Sequence, residues 1–481
     1  MTAYGTSIAR TETRAYDLST GVVTSVTDAD NNVTTSMGHD VFGRPTVVKA
    51  ADGKPEETRT RTDYNDTLRR VIVYSDLNTP GDEKLVSIQH YDQLGRVRLT
   101  RQLEDVATQD PTVETAGIKV QTRYLFSSSN SYTLSSNPYR AAYSSQETDA
   151  SMGWTRSKSD NTGRVVEVQT FGGSGLPAPW SNNTTGTGTV TTAYEANFTT
   201  VTDQTGKMRR SMTNGLGQLA RVDEPGDPNT NNSLGTPDSP AQPTSYGYDA
   251  LGNLVTVNQG SQTRSFAYSS LARLLTATNP ESGTICYGTV VSGQCQANGY
   301  AANGNLVYKT DARGVLTSYG YDVLNRNSSI TYTNDPANTP TVTRTYDNPT
   351  SGANGIGRIW KTQTSVNTLV TIDSYDPLGR PKSQGQQFYY NNAWTQPYSI
   401  SSISYDRAGH LLSETYPSGR SVTNAYDTAG RLSSFSGNLG DATTRTYSSI
   451  TGSNAYDAAG HWTREQFGTA ISLYNKSVFG T

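Results

Sequence analysis

The chain is short of the residues from which metal centres, membrane spans and most catalytic sites are built. Among 481 residues there are two cysteines, four histidines, five tryptophans and nine phenylalanines, and the hydrophobic share is only 33%. Two cysteines and four histidines leave too few ligands for a zinc site of ordinary spacing. The longest apolar stretches, such as Val71-Ile72-Val73-Tyr74, are far too short to cross a bilayer, and no charged and apolar leader follows Met1. Basic residues number 39 against 42 acidic ones, with no lysine or arginine block, so a phosphate-binding footprint and a nucleic-acid partner are not expected. Long alanine, leucine, glutamate and lysine stretches at helical spacing are missing too, which points to an all-β chain.

Tyrosine, at 30 residues, and glycine, at 44, are abundant. Tyrosine suits a wall with one dry face and one wet edge, because its ring can be buried while its hydroxyl keeps a polar partner. Many of the tyrosines belong to an internal repeat, the feature to seek before any fold is proposed. Four copies have leucine as fourth residue: Tyr91-Asp92-Gln93-Leu94-Gly95-Arg96, Tyr248-Asp249-Ala250-Leu251-Gly252-Asn253, Tyr321-Asp322-Val323-Leu324-Asn325-Arg326 and Tyr375-Asp376-Pro377-Leu378-Gly379-Arg380. Three have alanine there: Tyr405-Asp406-Arg407-Ala408-Gly409-His410, Tyr426-Asp427-Thr428-Ala429-Gly430-Arg431 and Tyr456-Asp457-Ala458-Ala459-Gly460-His461. Eroded copies start at His39, Ser159, Thr213 and Tyr268.

Each position of the unit has a mechanical reason. The aspartate can accept hydrogen bonds from amides two or three residues on and so nucleate a type I turn, and the glycine supplies the positive φ that ends it. The product is a hairpin with a glycine bulge, which adds bend at the same point in every repeat and lets hairpins wind into a curved surface. Tyrosine at the end of the incoming strand and arginine at the start of the outgoing one are expected to stack across the turn, and the small apolar residue before glycine to tuck beneath it.

Tyr248 and Tyr268 lie 20 residues apart, Tyr405 and Tyr426 lie 21 apart, and Tyr375 and Tyr405 lie 30 apart. These spacings fit two strands and two short turns, with a longer excursion in some units. Two residues before the motif tyrosine stand Tyr246, Phe266, Tyr319 and Ile403, but also Gln89, Asp373, Asn424 and Asn454. That half-apolar face predicts a wall with intermittent buried contacts. Residues 1–240 read as a worn repeat region with long polar insertions within 102–151, 171–192 and 223–244, and residues 241–481 as a regular one, together a single array. The array stops mid-pattern after Tyr474, so a fragment of a longer chain is expected.

The unit resembles the RHS/YD-repeat family, whose repeat reads Tyr-Asp-x-x-Gly-Arg. The likeness spans nearly the whole chain, is weakest over 102–151, and extends to the connecting segment Asn279-Pro280-Glu281-Ser282-Gly283 and Asn303-Gly304-Asn305-Leu306. It implies a spiralling β-sheet that closes into a hollow cage. It also implies a role: bacterial members enclose a C-terminal toxin or effector domain of the same polypeptide, and others are secreted or cell-surface adhesins. The Asp-Pro-x-Gly core motif that ends such shells is not found, since Asp376-Pro377-Leu378-Gly379 belongs to an ordinary repeat. Neither the self-cleaving protease end nor a cargo domain is found.

No catalytic role is expected. The aspartates recur at one turn position, His39 replaces a repeat tyrosine, and His410 and His461 replace repeat arginines, whereas a glycosidase pair or a triad needs groups free of such duty. Gly172-Gly173-Ser174-Gly175-Leu176 lacks the closing glycine of an esterase elbow. The calcium candidates Asp28-Ala29-Asp30-Asn31-Asn32 and Asp227-Pro228-Asn229-Thr230-Asn231 lack the central glycine and the bidentate glutamate, so neither metal nor cofactor is expected. Cys286 and Cys295 fit either a disulfide across a local hairpin or two free thiols. Exposed tyrosines and Trp154, Trp180, Trp360, Trp394 and Trp462 leave surface glycans as the rival partner.

Overall fold

The computed structural model describes residues 11–140, 152–226, 233–366, 368–441, 443–452, 455–468 and 470–473. Among these residues there is no helix, and none that could cross a membrane. Strands from Glu12–Tyr16 to Tyr398–Ile400 form one antiparallel sheet of 30 strands, and strands from Ser402–Tyr405 to Ala470–Leu473 form a second of seven. Threonine, valine and tyrosine populate these strands, and asparagine, aspartate and glycine the turns, as pleated and left-handed backbone respectively favour.

Almost every strand pairs with the next in sequence, so each sheet is a meandering ribbon, and the chain passes from the first to the second between Ile400 and Ser402. Two excursions interrupt the first. Gly283–Cys286 passes over a small hairpin, Val290–Val291 with Gln294–Cys295, and pairs at Thr310. Pro381–Tyr390 pairs at its far end with the short Ala393–Trp394 and, nearer its start, with Tyr398–Ile400. The segment 102–151, expected to be mostly insertion, holds two full strands, Ile118–Phe126 and Asn130–Ser136; only 103–117 is an excursion among its described residues. Its strands were hidden because their turn, Ser127 to Asn130, has no Tyr-Asp signature.

The two edges of the ribbon differ. Along one lie the tyrosine-aspartate corners, and along the other mostly plain turns, with aspartate-glycine turns at Asp203–Gly206 and Asp311–Gly314. At most corners the strand register shifts by one residue, for example between His90 and Tyr91, Gly247 and Tyr248, and Ala425 and Tyr426. A bulge repeated on the same edge bends the ribbon in one sense.

The bending brings distant parts of the chain together. Asn31 Nδ2 donates to the Ile356 carbonyl, Thr58 Oγ1 to that of Arg407, and Arg140 to that of Asp457, across separations of 325, 349 and 317 residues. A nearly constant offset is the signature of a spiral. The corner edge of the second coil sits on the plain-turn edge of the first.

The two faces differ as well. Following the register, Ile88, Arg101 and Lys119 lie side by side, as do Leu134 and Arg156, Trp154 and Phe171, Arg210 and Asp223, and Cys286 and Thr310, all on one face. The excursions cover that face. Arg101 donates to the carbonyls of Ala116 and Pro111, Trp154 Nε1 to that of Ser174, Arg210 to those of Gly235 and Thr236, and Thr310 Oγ1 to that of Gly288. The buried hydrophobic residues form separate patches, Ile72, Val86, Ile88 and Leu103 in one, and Leu134, Tyr139, Met152, Trp154 and Phe171 in another. The motif tyrosines point to the opposite face.

Candidate functional site

The recurrent site is the corner. At Asp92, Asp249, Asp322, Asp376, Asp406, Asp427 and Asp457 the backbone amide donates to the carbonyl four residues on, at 2.8–3.0 Å. The carboxylate oxygen Oδ1 accepts the amide of that same fourth residue, at 2.8–3.0 Å. Where the second amide bond to Oδ1 is made it comes from two residues on, as Leu94 and Leu251 show, so the reach is two and four residues, not two and three. Gly95, Gly252, Gly379, Gly409, Gly430 and Gly460 hold φ between 75° and 95°, and Asn325 takes the same region at 62° where glycine is lacking. The amide of Arg96 and its guanidinium hold the Asp92 carboxyl below its ordinary range, and the Asn253 side chain and amide do the same for Asp249.

The sixth residue of the motif closes the corner from above. Arg96, Arg326, Arg380 and Arg431 each place Nε 2.6–2.8 Å from Oδ2 of their own aspartate. His410 substitutes through Nδ1, 2.7 Å from Asp406, and Asn253 through its amide, 2.8 Å from Asp249. These histidine and asparagine variants do the arginine's work, which accounts for their position.

The stacking partner is not the one expected. Each guanidinium lies over the tyrosine of the following hairpin instead of its own: Arg96 over Tyr124, Arg164 over Tyr194, Arg326 over Tyr346, Arg380 over Tyr405 and Arg431 over Tyr456, at 4.1–4.7 Å. The His410 ring stacks on Tyr426 at 4.6 Å. The reason is geometric: the salt bridge to Oδ2 turns the arginine outward along the edge, away from its own ring and towards the next strand pair.

Each of those tyrosines returns a bond. The hydroxyls of Tyr124, Tyr194, Tyr346, Tyr405, Tyr426 and Tyr456 donate to the carbonyl of the residue that follows the previous corner's basic residue, at 2.6–3.1 Å. Tyr248, Tyr321 and Tyr375 do the same towards Leu219, Leu306 and Ile359. Tyr91 departs from the pattern and donates to Gln89. Hairpin is thus tied to hairpin along the edge, and the hydroxyl explains why tyrosine and not phenylalanine recurs.

The apolar residue before glycine does not tuck beneath the turn at every corner: Leu324 and Leu378 are half-buried, whereas Leu94, Leu251, Ala408 and Ala459 are exposed. Leu94 is 74% exposed and Leu251 65%, because this position of a type I turn points out from the ribbon's edge. In the second coil Ala429 is buried, with the plain-turn edge of the first coil close by: a methyl on neighbouring Gly430 would meet Leu85 and His410 at 3.2 Å.

The seam between the coils was invisible to local motifs. Glu104, at a plain turn of the first coil, accepts from Arg140 and from Arg431, the latter 327 residues away and 2.7 Å distant. Burial pushes the Glu104 carboxyl up, but the two guanidinium groups outweigh it and hold it below the usual range. Arg407 N donates to Leu77 O and Lys382 reaches Glu56.

Other candidates fall to structural duties. Asp28 accepts from Asp30 and Asn31 as an ordinary turn, Asn183 bonds the 172–175 loop, and no group of three acidic, histidine or cysteine side chains suited to a metal occurs among the described residues. Asp227 through Asn231, and Tyr474 with the residues after it, lie outside the described residues. Cys286 and Cys295 are bonded, with Cα atoms 5.5 Å apart, and tie the small hairpin to the ribbon. His90 is 2% exposed; burial pushes its imidazole down to about 4 against the attraction of Glu114, 3.3 Å from Nδ1.

Residues 405–442, which carry two of these corners, match the family model for the RHS repeat. The chain carries an RHS repeat. No curated protein sequence matches it. Solved structures do. The chain is similar to the TcdB2-TccC3 crystal structure, with a TM-score of 0.71 at 14% identity, over 96% of this chain and 26% of that one. It is equally similar to TcdB2-TccC3 without its hypervariable C-terminal region, with a TM-score of 0.71 at 14% identity, over 98% and 28%. A Tc holotoxin pore from Photorhabdus luminescens gives 0.67 at 13%, over 96% and 28%. At such identities the likeness establishes the fold, an RHS-type β-shell wall, and this chain spans about a quarter of the length of those it matches.

Proposed function

We propose that the chain is a non-catalytic wall segment of a shell whose full-length polypeptide encloses or presents a C-terminal effector. The observation that carries the reading is the seam: contacts repeated at offsets of 317–349 residues make the ribbon a continuous curved wall instead of an open sheet. The shell fold shared with TcdB2-TccC3 supports it. In this reading the corner tyrosines, aspartates, glycines and arginines are mechanical fasteners, residues 1–240 and 241–481 form one array, and the protein works outside the producing cell or on its surface.

Limited proteolysis of the full-length polypeptide tests the enclosure. A C-terminal domain cut as fast as the same domain expressed alone would rule it out, whereas protection that disappears when the seam is opened by Glu104→Ala would support it.

Adhesion to carbohydrate is the second reading, favoured by exposed Tyr390 and Tyr398 near the Tyr389–Trp394 ring pair. It ranks below the first because so many of the motif tyrosines already serve as platforms for arginine. A glycan array probed with this chain decides it, and absence of binding removes it.

A further inference from the structure

Four Asn-Gly pairs occur among the described residues, beginning at Asn214, Asn298, Asn303 and Asn354. In such a pair the glycine amide nitrogen can attack the asparagine side-chain carbon Cγ, because no Cβ shields it and both groups belong to one short stretch of chain. Three of the four are held against that reaction. The Gly304 amide donates to the Ala301 carbonyl. Gly299 and Gly355 are buried, and a methyl added to them would meet the Tyr287 carbonyl and the Asn348 side chain, so neither segment has room to rearrange.

Asn214 differs because it stands in a corner, Thr213-Asn214-Gly215-Leu216-Gly217-Gln218, at the position where other repeats carry aspartate. Its Oδ1 accepts the amides of Leu216 and Gln218, both at 3.0 Å, and its Nδ2 donates to Gln218 Oε1 at 2.8 Å. The Asn214 amide donates to the Gln218 carbonyl and the Gly217 amide to the Asn214 carbonyl. Among the described residues, every amide from 214 to 218 thus has an acceptor except that of Gly215. The two donors on Oδ1 sit at the oxygen where negative charge develops when Cγ is attacked, as an oxyanion hole does. The corner that follows shows how the product would fit. There Asp249 Oδ1 accepts the amides of Leu251 and Asn253, and the Asn253 side chain donates to Oδ2 at 2.8 Å. An aspartate at 214 would receive the Gln218 side chain in the same way once its amide group turns over, with charge-assisted bonds in place of neutral ones.

We propose that Asn214 is a site of intramolecular deamidation, which converts this corner to the aspartate form that the clear repeats encode. Gly215 N forms a bond to Asn214 Cγ and gives up its proton, the Cγ–Nδ2 bond breaks, and ammonia leaves with that proton. Water then adds at Cγ of the cyclic imide, the bond between Cγ and Gly215 N breaks, and the nitrogen takes back a proton. The net change is one water in and one ammonia out, with no oxidation or reduction. The Leu216 and Gln218 amides polarise the Cγ carbonyl of the imide and leave its main-chain carbonyl alone, which steers water towards aspartate and away from isoaspartate. The inference concerns the chemistry of one corner and holds whatever the shell contains.

Peptide mapping by mass spectrometry of the 481-residue chain, aged in mildly alkaline buffer, tests it. In the folded chain Asn214 should convert ahead of Asn298, Asn303 and Asn354 by about tenfold or more, with aspartate as the main product. In urea, where the corner is gone, the four pairs should convert at similar rates and the share of isoaspartate should rise. No conversion at Asn214, equal rates at all four pairs in the folded chain, or isoaspartate as the main folded product overturns the proposal. Gly215→Ala should stop the conversion without unfolding the corner, because the same position carries Gln93, Ala250, Val323 and Thr428 in other repeats. A G215A chain that still converts refutes Gly215 as the nucleophile. Asn214→Asp, the product itself, should resist chemical denaturation at least as well as the parent chain, and a less stable N214D would deny that aspartate completes this corner.

Discussion

Arg380 holds its guanidinium 4.6 Å from the ring centre of Tyr405, and the Tyr405 hydroxyl donates across 3.0 Å to the carbonyl of Pro381, the residue next to that arginine. The pair is a closed clasp between consecutive hairpins. The arginine is simultaneously fixed by Asp376, which is 3% exposed, so its stacking geometry is set before the tyrosine arrives. Tyr405→Phe should cost about 1 kcal/mol, the net worth of one hydrogen bond, while keeping the stack. Arg380→Ala should cost more, because it also strands the Asp376 carboxylate. A double-mutant cycle of Arg380→Ala with Tyr405→Ala, which removes the ring, read by chemical denaturation, should give a coupling of about 0.5–2 kcal/mol, and additive effects would deny the clasp.

Glycine substitutions should separate the two kinds of corner. Gly95 and Gly430 both have φ near 76°, so alanine at either costs about 1 kcal/mol or slightly more for the left-handed backbone. Around Gly95 a methyl meets nothing within 4 Å, whereas at Gly430 it meets His410 and Leu85 at 3.2 Å. Gly430→Ala should therefore be the more damaging, and its damage should show as faster hydrogen exchange on both sides of the seam. Equal effects at the two sites would mean that the coils do not press together there.

Much of the wall was legible in the sequence because its information is local. The aspartate, the glycine and the bulge lie within six residues, and so the corner can be derived from Tyr405 to His410 alone. The clasp was half legible: the sequence names the arginine and the tyrosine, but their pairing crosses from one hairpin to the next and depends on the outward turn imposed by Asp376. The seam was not legible. Glu104 has no motif around it, and its partner Arg431 stands 327 residues away, where curvature accumulated over dozens of strands decides the meeting.

Reduction of the Cys286–Cys295 bond should be a local event. The bond closes a loop of about ten residues, for which a loss of about 2–3 kcal/mol is typical. The small hairpin it holds is outside the main ladder, which passes directly from Cys286 to Thr310. Hydrogen exchange after reduction should rise across residues 287–307 and stay unchanged in Leu316–Tyr321. Loss of protection throughout the neighbouring strands would show the hairpin to be part of the wall.

Acid should loosen the wall in two separate windows. His90 is neutral when folded, with its proton on Nδ1 towards Glu114 and its Nε2 buried without a hydrogen-bond partner. Burial keeps its value near 4, against about 6.5 when unfolded, so between those limits the unfolded chain takes up a proton that the folded chain refuses. The His90 contribution is therefore complete above about pH 6.5 and declines as pH falls towards 4, by up to about 3 kcal/mol. It acts where Glu114, Arg98 and Arg101 hold the 103–117 excursion to the wall. Glu104 behaves differently: its folded value lies below that of a free glutamate, so the seam keeps its strength down to about pH 4.3 and loses it only below that. Exchange measured from pH 7 to 4.5 should thus rise in residues 103–117 first, with the contacts of Arg431 intact. His90→Gln, which does not titrate, should abolish the first window and leave the second, and a variant that still loosens between pH 6.5 and 4.5 would exclude His90 as the cause.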